Sequence, residues 1–472
     1  MTGSMIIGLI VMIVVVIALL IAVYKGLDTF VGCCIAACLV CLGCRLPVYS
    51  TMMGTFWDGA SNILASMGFC VILSVLLGQV YLRSGAAESI GNLFRKIFIK
   101  DGMSPLRMKM TSAYVYLIVA MILCFCGMNV YVATFCIIPM GAGLFKAADL
   151  PKKPVAGILA GALSMAACCP GTPLYTNVLG SAFFGTKSTA ALVPGLVGVF
   201  VMFVLNVLWI WSFCKKAVKK DLHYVETSGG FFSPGAPGEG APLPPGPGGP
   251  PAPDAKAPER KLPHWALALI PLVLNVVLYG FLGWQIEPTL IVTIVLSLIL
   301  FAVNLKEGPK WSFKPLTKLL AAGIAAAFPI VMYMAAQMGY AQVVSSTDVF
   351  NVIIGWLRGL PFPSYITFGV FASLSGFLAS DAVAGIIFSA TGFLPVAQQM
   401  GMTAAGMHRI ALFAVSILDT LPICAGVIAM LKAAGMTHKE GYSCVFRTTV
   451  VYPFIGMAVC IVMCMLFPGL AV

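Results

Sequence analysis

Two aspartates lie inside runs that are otherwise nearly all apolar. Asp419 sits in SILDTLP, residues 416–422, within IALFAVSILDTLPICAGVIAML, and Asp381 sits in LASDAVAGI, residues 378–386. A carboxylate at membrane depth costs roughly 2.5 to 3.5 kcal/mol on insertion scales, so it faces a cavity or a partner and marks a site. Either acid can take up a proton, because desolvation disfavours the charged carboxylate, and either can instead help to bind Na⁺. Polar residues keep them company. Ser380 precedes Asp381, Ser416 and Thr420 lie around Asp419, Asn129 interrupts an apolar run at GMN (127–129), and Gly171 and Thr172 fall in CCPGTP (168–173). Asp381 and Asp419 are read as ion-coupling residues, and Asn129, Gly171, Thr172, Ser380, Ser416 and Thr420 as substrate-binding residues.

The surroundings are those of a bilayer. Of the 472 residues 60% are hydrophobic and 9% charged, and the mean hydropathy is +1.01, which is the composition of an all-α polytopic membrane protein. Residues 5–23 have no basic residue before them and further spans after, so they are expected to be a retained first helix and not a signal peptide. The net charge of +12 is explained by basic residues flanking spans. No basic patch interleaved with aromatics suggests a nucleic-acid surface. The 16 cysteines sit almost all in apolar runs such as GCCIAACLVCLGC (32–44), where they serve as small packing residues. No paired CxxC spacing points to a metal, and no cofactor is expected beyond a coupling cation.

One segment, SPGAPGEGAPLPPGPGGPPAPDAKAP (233–258), is too rich in Pro and Gly for a helix or a core. It divides the chain into a first repeat, 1–214, a cytoplasmic linker, 215–262, and a second repeat, 263–472. Spans are predicted at 5–23, 28–44, 63–82 and 188–213, and again at 263–283, 287–304, 316–340 and 443–470. Between the third and last span of each repeat lie two irregular elements. Residues 110–146 and 363–402 read as hairpins broken at GMN and ASDA; residues 154–182 and 408–430 read as helices broken at CCPGTP and DTLP. One common offset pairs Asn129 with Asp381, Ser164 with Ser416 and Pro170 with Pro422.

Each repeat then has five crossings plus one re-entrant hairpin, and an odd number inverts the second repeat relative to the first. With both termini extracytoplasmic, all of the 28 Lys and Arg residues except Arg45, Lys187, Arg358 and Arg409 fall on the cytoplasmic side, as the positive-inside rule requires. Inverted repeats with interrupted helices are the architecture of secondary transporters. A break inside the bilayer must line a protein or water-filled cavity. Its half-helix amino termini suit an anion and its freed carbonyls a cation.

The same residues have plainer uses. Asp381 and Asp419 could cap the half-helices that follow them, Asn129 could serve a left-handed turn, and Ser164 and Ser416 could bond back to their own helices. His408 and Arg409 are expected at the membrane surface, and Asp58 on an interfacial helix. A passive anion channel, the reading from another class, wants a continuous polar stripe, whereas polar residues gather only at the breaks. No nucleophile motif supports an enzyme.

Residues 408–446, HRIALFAVSILDTLPICAGVIAMLKAAGMTHKEGYSCVF, resemble the C-terminal region of the gluconate permease family of the ion transporter superfamily, where an HRI…LDTLP…GLTHKEAY pattern recurs. LLGQVYLRSGAAESIGNLF (76–94), PGTPLYTNVLGSAFFGT (170–186) and LASDAVAGI are similar in the same order. The resemblance implies a bacterial inner-membrane symporter for gluconate or related small hydroxycarboxylates, usually coupled to H⁺, with Na⁺ as the alternative. It implies a homodimer working as an elevator, with scaffold at 1–109 and 263–360 and transport elements at 110–214 and 361–472. This chain departs from the pattern at Ile423 and Cys424, where the family often has a His-Asn pair, and at Cys168 and Cys169, where it has a Pro- and His-rich break. A pocket without those polar partners gains little from a polyol, which favours a less hydroxylated carboxylate.

Overall fold

The computed structural model describes residues 3–25, 27–98, 102–125, 130–172, 174–225, 262–305, 314–348, 361–379, 382–394, 397 and 400–471. Asn129, Ser380, Asp381, Arg358 and linker residues 226–261 lie outside them. Among the described residues there is no strand.

The first half comprises α1 (Gly3–Tyr24), α2 (Thr29–Gly43), α3 (48–84), α4 (Ala86–Phe98), α5 (Pro105–Phe125), α6 (Val130–Ala147), α7 (Pro154–Cys168), α8 (Tyr175–Phe184) and α9 (Leu192–Lys219). The second comprises α10 (265–281), α11 (Ile286–Leu300), α12 (Lys314–Ser345), α13 (Ser364–Ala379), α14 (Ala382–Phe393), α15 (Ala404–Leu418), α16 (Ala425–Ala433) and α17 (438–466). Within these, α5, α9, Leu316–Ser345 and His438–Leu466 are 21, 28, 30 and 29 residues long and predominantly apolar, each long enough to cross a bilayer. With the shorter apolar helices between them they make this a multi-pass membrane protein.

Both broken helices are broken. α7 stops where Cys169 turns extended (φ −76°, ψ 129°) ahead of Pro170, the conformation that the proline ring imposes on its predecessor. After a turn containing Gly171 at φ +78°, α8 resumes at Tyr175. α15 ends with Asp419 at its C-cap, and α16 begins after Cys424. The helix bounds 154–168 and 404–418 repeat at an offset two residues shorter than the one that pairs Ser164 with Ser416, so those serines sit at different distances from their breaks. α5 packs on α6, and α13 on α14. The second pair touch closely: a Cβ added to Gly385 would lie 2.9 Å from the Gly376 Cα. The half-helix that follows each break rests on the outgoing arm of the other half's hairpin, α8 against α14 and α16 against α6.

α3 is longer than the predicted span 63–82. It is continuous from 48 to 84 through two π-turns at Met52–Phe56 and Leu64–Gly68, and Asp58 is an exposed residue of this helix, not of a separate interfacial one. Ser50, Thr51, Thr55 and Asp58 dilute the apolar signal of its first turns. α3 packs on α12 through glycines: a Cβ on Gly59 would stand 2.6 Å from the Met338 carbonyl oxygen, and one on Gly339 2.8 Å from that of Phe56. Asp28 caps α2, accepting from the amides of Phe30 (3.0 Å) and Val31 (3.2 Å), and receives the Tyr333 hydroxyl from α12 at 3.0 Å.

α9 continues past residue 214, through Lys219, and Lys215 lays its Nζ 3.7 Å from the Trp211 ring centre. Beyond α9, His223 Nδ1 meets Asp149 Oδ2 at 2.6 Å, and the Tyr224 amide donates to Asp149 Oδ1 at 2.9 Å. Asp149 follows α6, so the exit of the first hairpin is tied to the root of the linker. The Tyr224 amide and then His223 hold the Asp149 carboxyl below the usual carboxylate range, and Asp149, followed by Asp221, raises the His223 imidazole above its usual range. The histidine's share of the contact is complete below the ordinary imidazole range and fades as pH rises through the raised value. The aspartate's share is complete above the ordinary carboxylate range and fades as pH falls through the lowered one. The tie is therefore firmest between those two values. In Asp149→Asn, His223 should titrate back towards the ordinary imidazole range, followed by its ring resonances in NMR; an unmoved titration would show that the contact does not form.

Candidate functional site

A helix that breaks inside a bilayer leaves carbonyls and amides to be satisfied, and the two breaks solve this differently. At the first, Thr172 donates its hydroxyl to the carbonyls of Ala166 (2.9 Å) and Cys169 (3.1 Å), Asn177 donates to the Thr172 carbonyl (2.9 Å), and the Gly171 amide reaches Ser188 O (3.0 Å). At the second, His438 Nε2 meets Pro422 O at 2.9 Å, Tyr442 donates to Thr420 O at 3.3 Å, and Gln337 Nε2 donates to Ile423 O. The Thr420 hydroxyl donates to Thr449 Oγ1 at 2.7 Å.

The carbonyls are thus served, but the half-helix amides are not capped by side chains. Leu174 and Cys424 occupy the N-cap positions of α8 and α16, and neither provides a side-chain acceptor. Asp28, Thr403 and the Thr437/Glu440 box do cap α2, α15 and α17, whereas Lys153, Ala191 and Gln285 leave α7, α9 and α11 without a side-chain cap. Asp419 lies six residues before the start of α16 and is not its cap, so that plainer use does not hold. It is the C-cap of α15, at the negative end of that helix's dipole, a place that favours a positive partner.

Between the breaks lies a cavity of about 170 Å³. The first break contributes Ser164, Ala167, Leu174 and Thr176; the second contributes Ser416, Asp419, Thr420 and Cys424 to Val427. Val130 and Ala382, the first residues of α6 and α14, also line it, as do Ile63 and Met67 of α3 and Met334, Gln337 and Met338 of α12. Asp419 is the charged side chain among these lining residues. Two hydroxyls in the wall, Ser164 Oγ and Thr176 Oγ1, have no hydrogen-bond partner among the described residues, although the residues are only 6% and 7% exposed. An unpaired buried hydroxyl is unfavourable by about 1 to 3 kcal/mol, and a polar ligand in the cavity removes the deficit.

Of the sequence-based candidates, Asp419, Ser416 and Thr420 therefore reach the cavity. Ser416 also donates back to Leu412 O at 2.8 Å, as its plainer reading expects. Gly171 and Thr172 are not in the wall, because Thr172 is consumed by its own break. Asn129, Ser380 and Asp381 lie outside the described residues, and Val130 and Ala382 next to them face the cavity. Thr176, Gln337 and Thr449 were not anticipated. A lone polar residue in an apolar run, such as Gln337 in MAAQMGY, is the signal that could have found them.

His408 and Arg409 overturn the expectation of a surface position. Both are 0% exposed. The freed carbonyls and the loop after α8 give Arg409 its partners, and the His408 ring packs on Gly180 and stacks against Phe184 at 5.9 Å.

No family model matches the chain. Over 458 residues it is 25% identical to the uncharacterized transporter YxjC of Bacillus subtilis (strain 168), covering 86% of this chain and 87% of that protein. The crystal structure of the Alcanivorax borkumensis YdaH transporter superposes with a TM-score of 0.42 and 13% identity over 89% of this chain and 88% of that one, too loosely to transfer residues.

Proposed function

We propose that the chain is a secondary transporter that imports a small organic anion together with H⁺, taken up at Asp419. One observation carries this reading: two interrupted helices and two hairpin arms meet at a single cavity whose wall holds uncapped helix amino termini, unpaired hydroxyls and one acid. Amino-terminal amides and hydroxyls suit a carboxylate, and the acid suits a cation. The full-length similarity to a protein named as a transporter supports it. Beyond these groups and Tyr131, Gln337, Ser416, Thr420 and Thr449 the wall is apolar, with Met67, Met334 and Met338; Cys424 stands where the resembled family often has a polar residue, and Ile423 and Cys168 are buried away from solvent. A short monocarboxylate or a sparsely hydroxylated acid fits such a wall better than gluconate.

The resemblance to gluconate permeases adds an elevator of inverted repeats, a homodimer and a bacterial inner membrane with both termini outside. In that mechanism α3 and α12 supply the fixed wall, and the hairpins and broken helices carry the substrate past it. Methionine is suited to a sliding wall because its side chain adapts without polar loss.

Uptake of acetate, lactate and gluconate into proteoliposomes, with proton and sodium gradients imposed separately, tests the proposal. Accumulation of lactate or acetate driven by a proton gradient is expected. Accumulation driven by sodium alone would replace the cation, gluconate strongly preferred would replace the substrate class, and downhill movement alone would leave a passive anion path. Ser164→Ala and Thr176→Val should each raise KM about ten- to a hundredfold at unchanged expression, the loss expected for a hydrogen bond to a charged ligand. An unchanged KM in both would place the anion elsewhere.

A further inference from the structure

We propose that Arg409 is the fixed countercharge of the transport cycle, balanced by Asp419 in the empty protein and by the substrate anion in the loaded one. This presupposes the anion and cation symport proposed above.

Arg409 uses all five of its N–H donors on neutral acceptors. Nε donates to Ala190 O (3.1 Å), Nη1 to Cys168 O (3.1 Å) and Asn177 Oδ1 (3.4 Å), and Nη2 to Ser188 O (2.8 Å) and Ala190 O (3.0 Å). No carboxylate lies within ion-pair range of it among the described residues. The titratable groups around it are His408 on its own helix, Cys168 and Cys169 at the first break, and Cys460 on α17. The Cys168 carbonyl is an orphan at the negative end of α7, which helps to solvate the guanidinium. Dipoles solvate a charge without cancelling it, so Arg409 keeps its positive charge.

That charge stands just behind the cavity wall. Cys168, whose carbonyl it holds, has its Sγ 3.9 Å from Ser416 Oγ, and Ser416 lines the cavity. Asp419 lies on the same helix, ten residues on and about 15 Å along the axis. With Asp419 ionised, the pair sums to zero. An anion entering alone leaves the interior at minus one, and a cation arriving alone leaves it at plus one. Both together restore zero, so each ligand favours the other and neither crosses well by itself. The sum is the same for H⁺ and for Na⁺.

The test uses purified full-length protein in proteoliposomes, with radiolabelled acetate and lactate as probes. Ser416 of the cavity wall is seven residues on and Asp419 ten, about 10 to 15 Å along the helix, so at an effective dielectric near 20 loss of the unit charge should weaken anion binding about six- to sixteenfold in Arg409→Gln. Arg409→Lys, which keeps the charge and loses the fork, should keep the parent's pH dependence of KM. In Asp419→Asn the anion should bind with an affinity independent of pH, and uptake should respond to an inside-positive potential. Net uptake in the Arg409→Gln/Asp419→Asn double variant still moves one negative charge, but there the loaded form carries it, so exchange of internal for external anion, insensitive to potential in Asp419→Asn, should become sensitive to it. Arg409→Gln with the parent's KM and pH profile would overturn the countercharge, as would equal impairment of the Lys and Gln variants. Where Arg409→Gln fails to fold, an Asp419→Asn protein whose KM still follows pH overturns it alone. A parent protein that accumulates neither probe under either gradient would overturn the symport and the countercharge together.

Discussion

Asp419→Asn is expected to abolish accumulation against a gradient while leaving exchange of internal for external substrate intact. One pH unit is worth about 1.4 kcal/mol, enough for about tenfold accumulation per proton carried. The parent should reach that ratio under a proton gradient, and the variant should level off at equal concentrations inside and out. Asparagine matches aspartate in size and keeps an acceptor at the C-cap of α15, so the helix end and the neighbouring Thr420–Thr449 bond should survive. Folding is checked by thermal unfolding of the purified protein, and function by comparing net uptake with counterflow in the same vesicles. Full accumulation by the variant would remove Asp419 from coupling and turn attention to Asp381.

Gly426→Phe is expected to close the site without disturbing the fold. Gly426 stands in the first turn of α16 and lines the cavity. A Cβ there meets Val130 Cγ2 at 3.4 Å and Cys424 Sγ at 3.7 Å, ordinary contacts, so Gly426→Ala should transport normally and gain a little helix stability. A phenyl ring has nowhere to go but the cavity. Substrate should then bind about a hundredfold or more weakly, equivalent to about 2.8 kcal/mol, with an unfolding midpoint near the parent's. Normal saturation kinetics in Gly426→Phe would place the substrate outside this cavity.

The interrupted helices could be read from residue types alone because proline constrains its predecessor through local sterics, wherever the chain then goes. Asp419, Ser416 and Thr420 followed for the same reason: a polar residue next to a break is confined to the cavity that the break must line. Arg409 could not be placed this way. A basic residue near the start of an apolar run reads as a flank, and the acceptors that bury it come from a break more than two hundred positions earlier. Thr172 shows the converse, a residue of suitable type and position whose hydroxyl is spent on its own turn. Thr176 and Gln337 were missed because the hydroxyl and amide are small breaks in an apolar pattern, and only the folded wall shows which of many such residues face inwards. The third span was cut short because its first turns carry serine, threonine and aspartate, although a helix needs no apolar residue to continue.

Gly59 and Gly339 fix the gauge of the site. There α3 and α12 meet main chain to main chain, at the turns that carry Ile63 and Met338 into the cavity. Carbonyls, unlike side chains, have no alternative rotamer, so this wall can neither yield to a bulkier passenger nor creep inwards on a slimmer one. The spacing of its two helices is set by main-chain contact, and a lineage in search of new cargo would have to retool the methionine tips and leave the rails where they are.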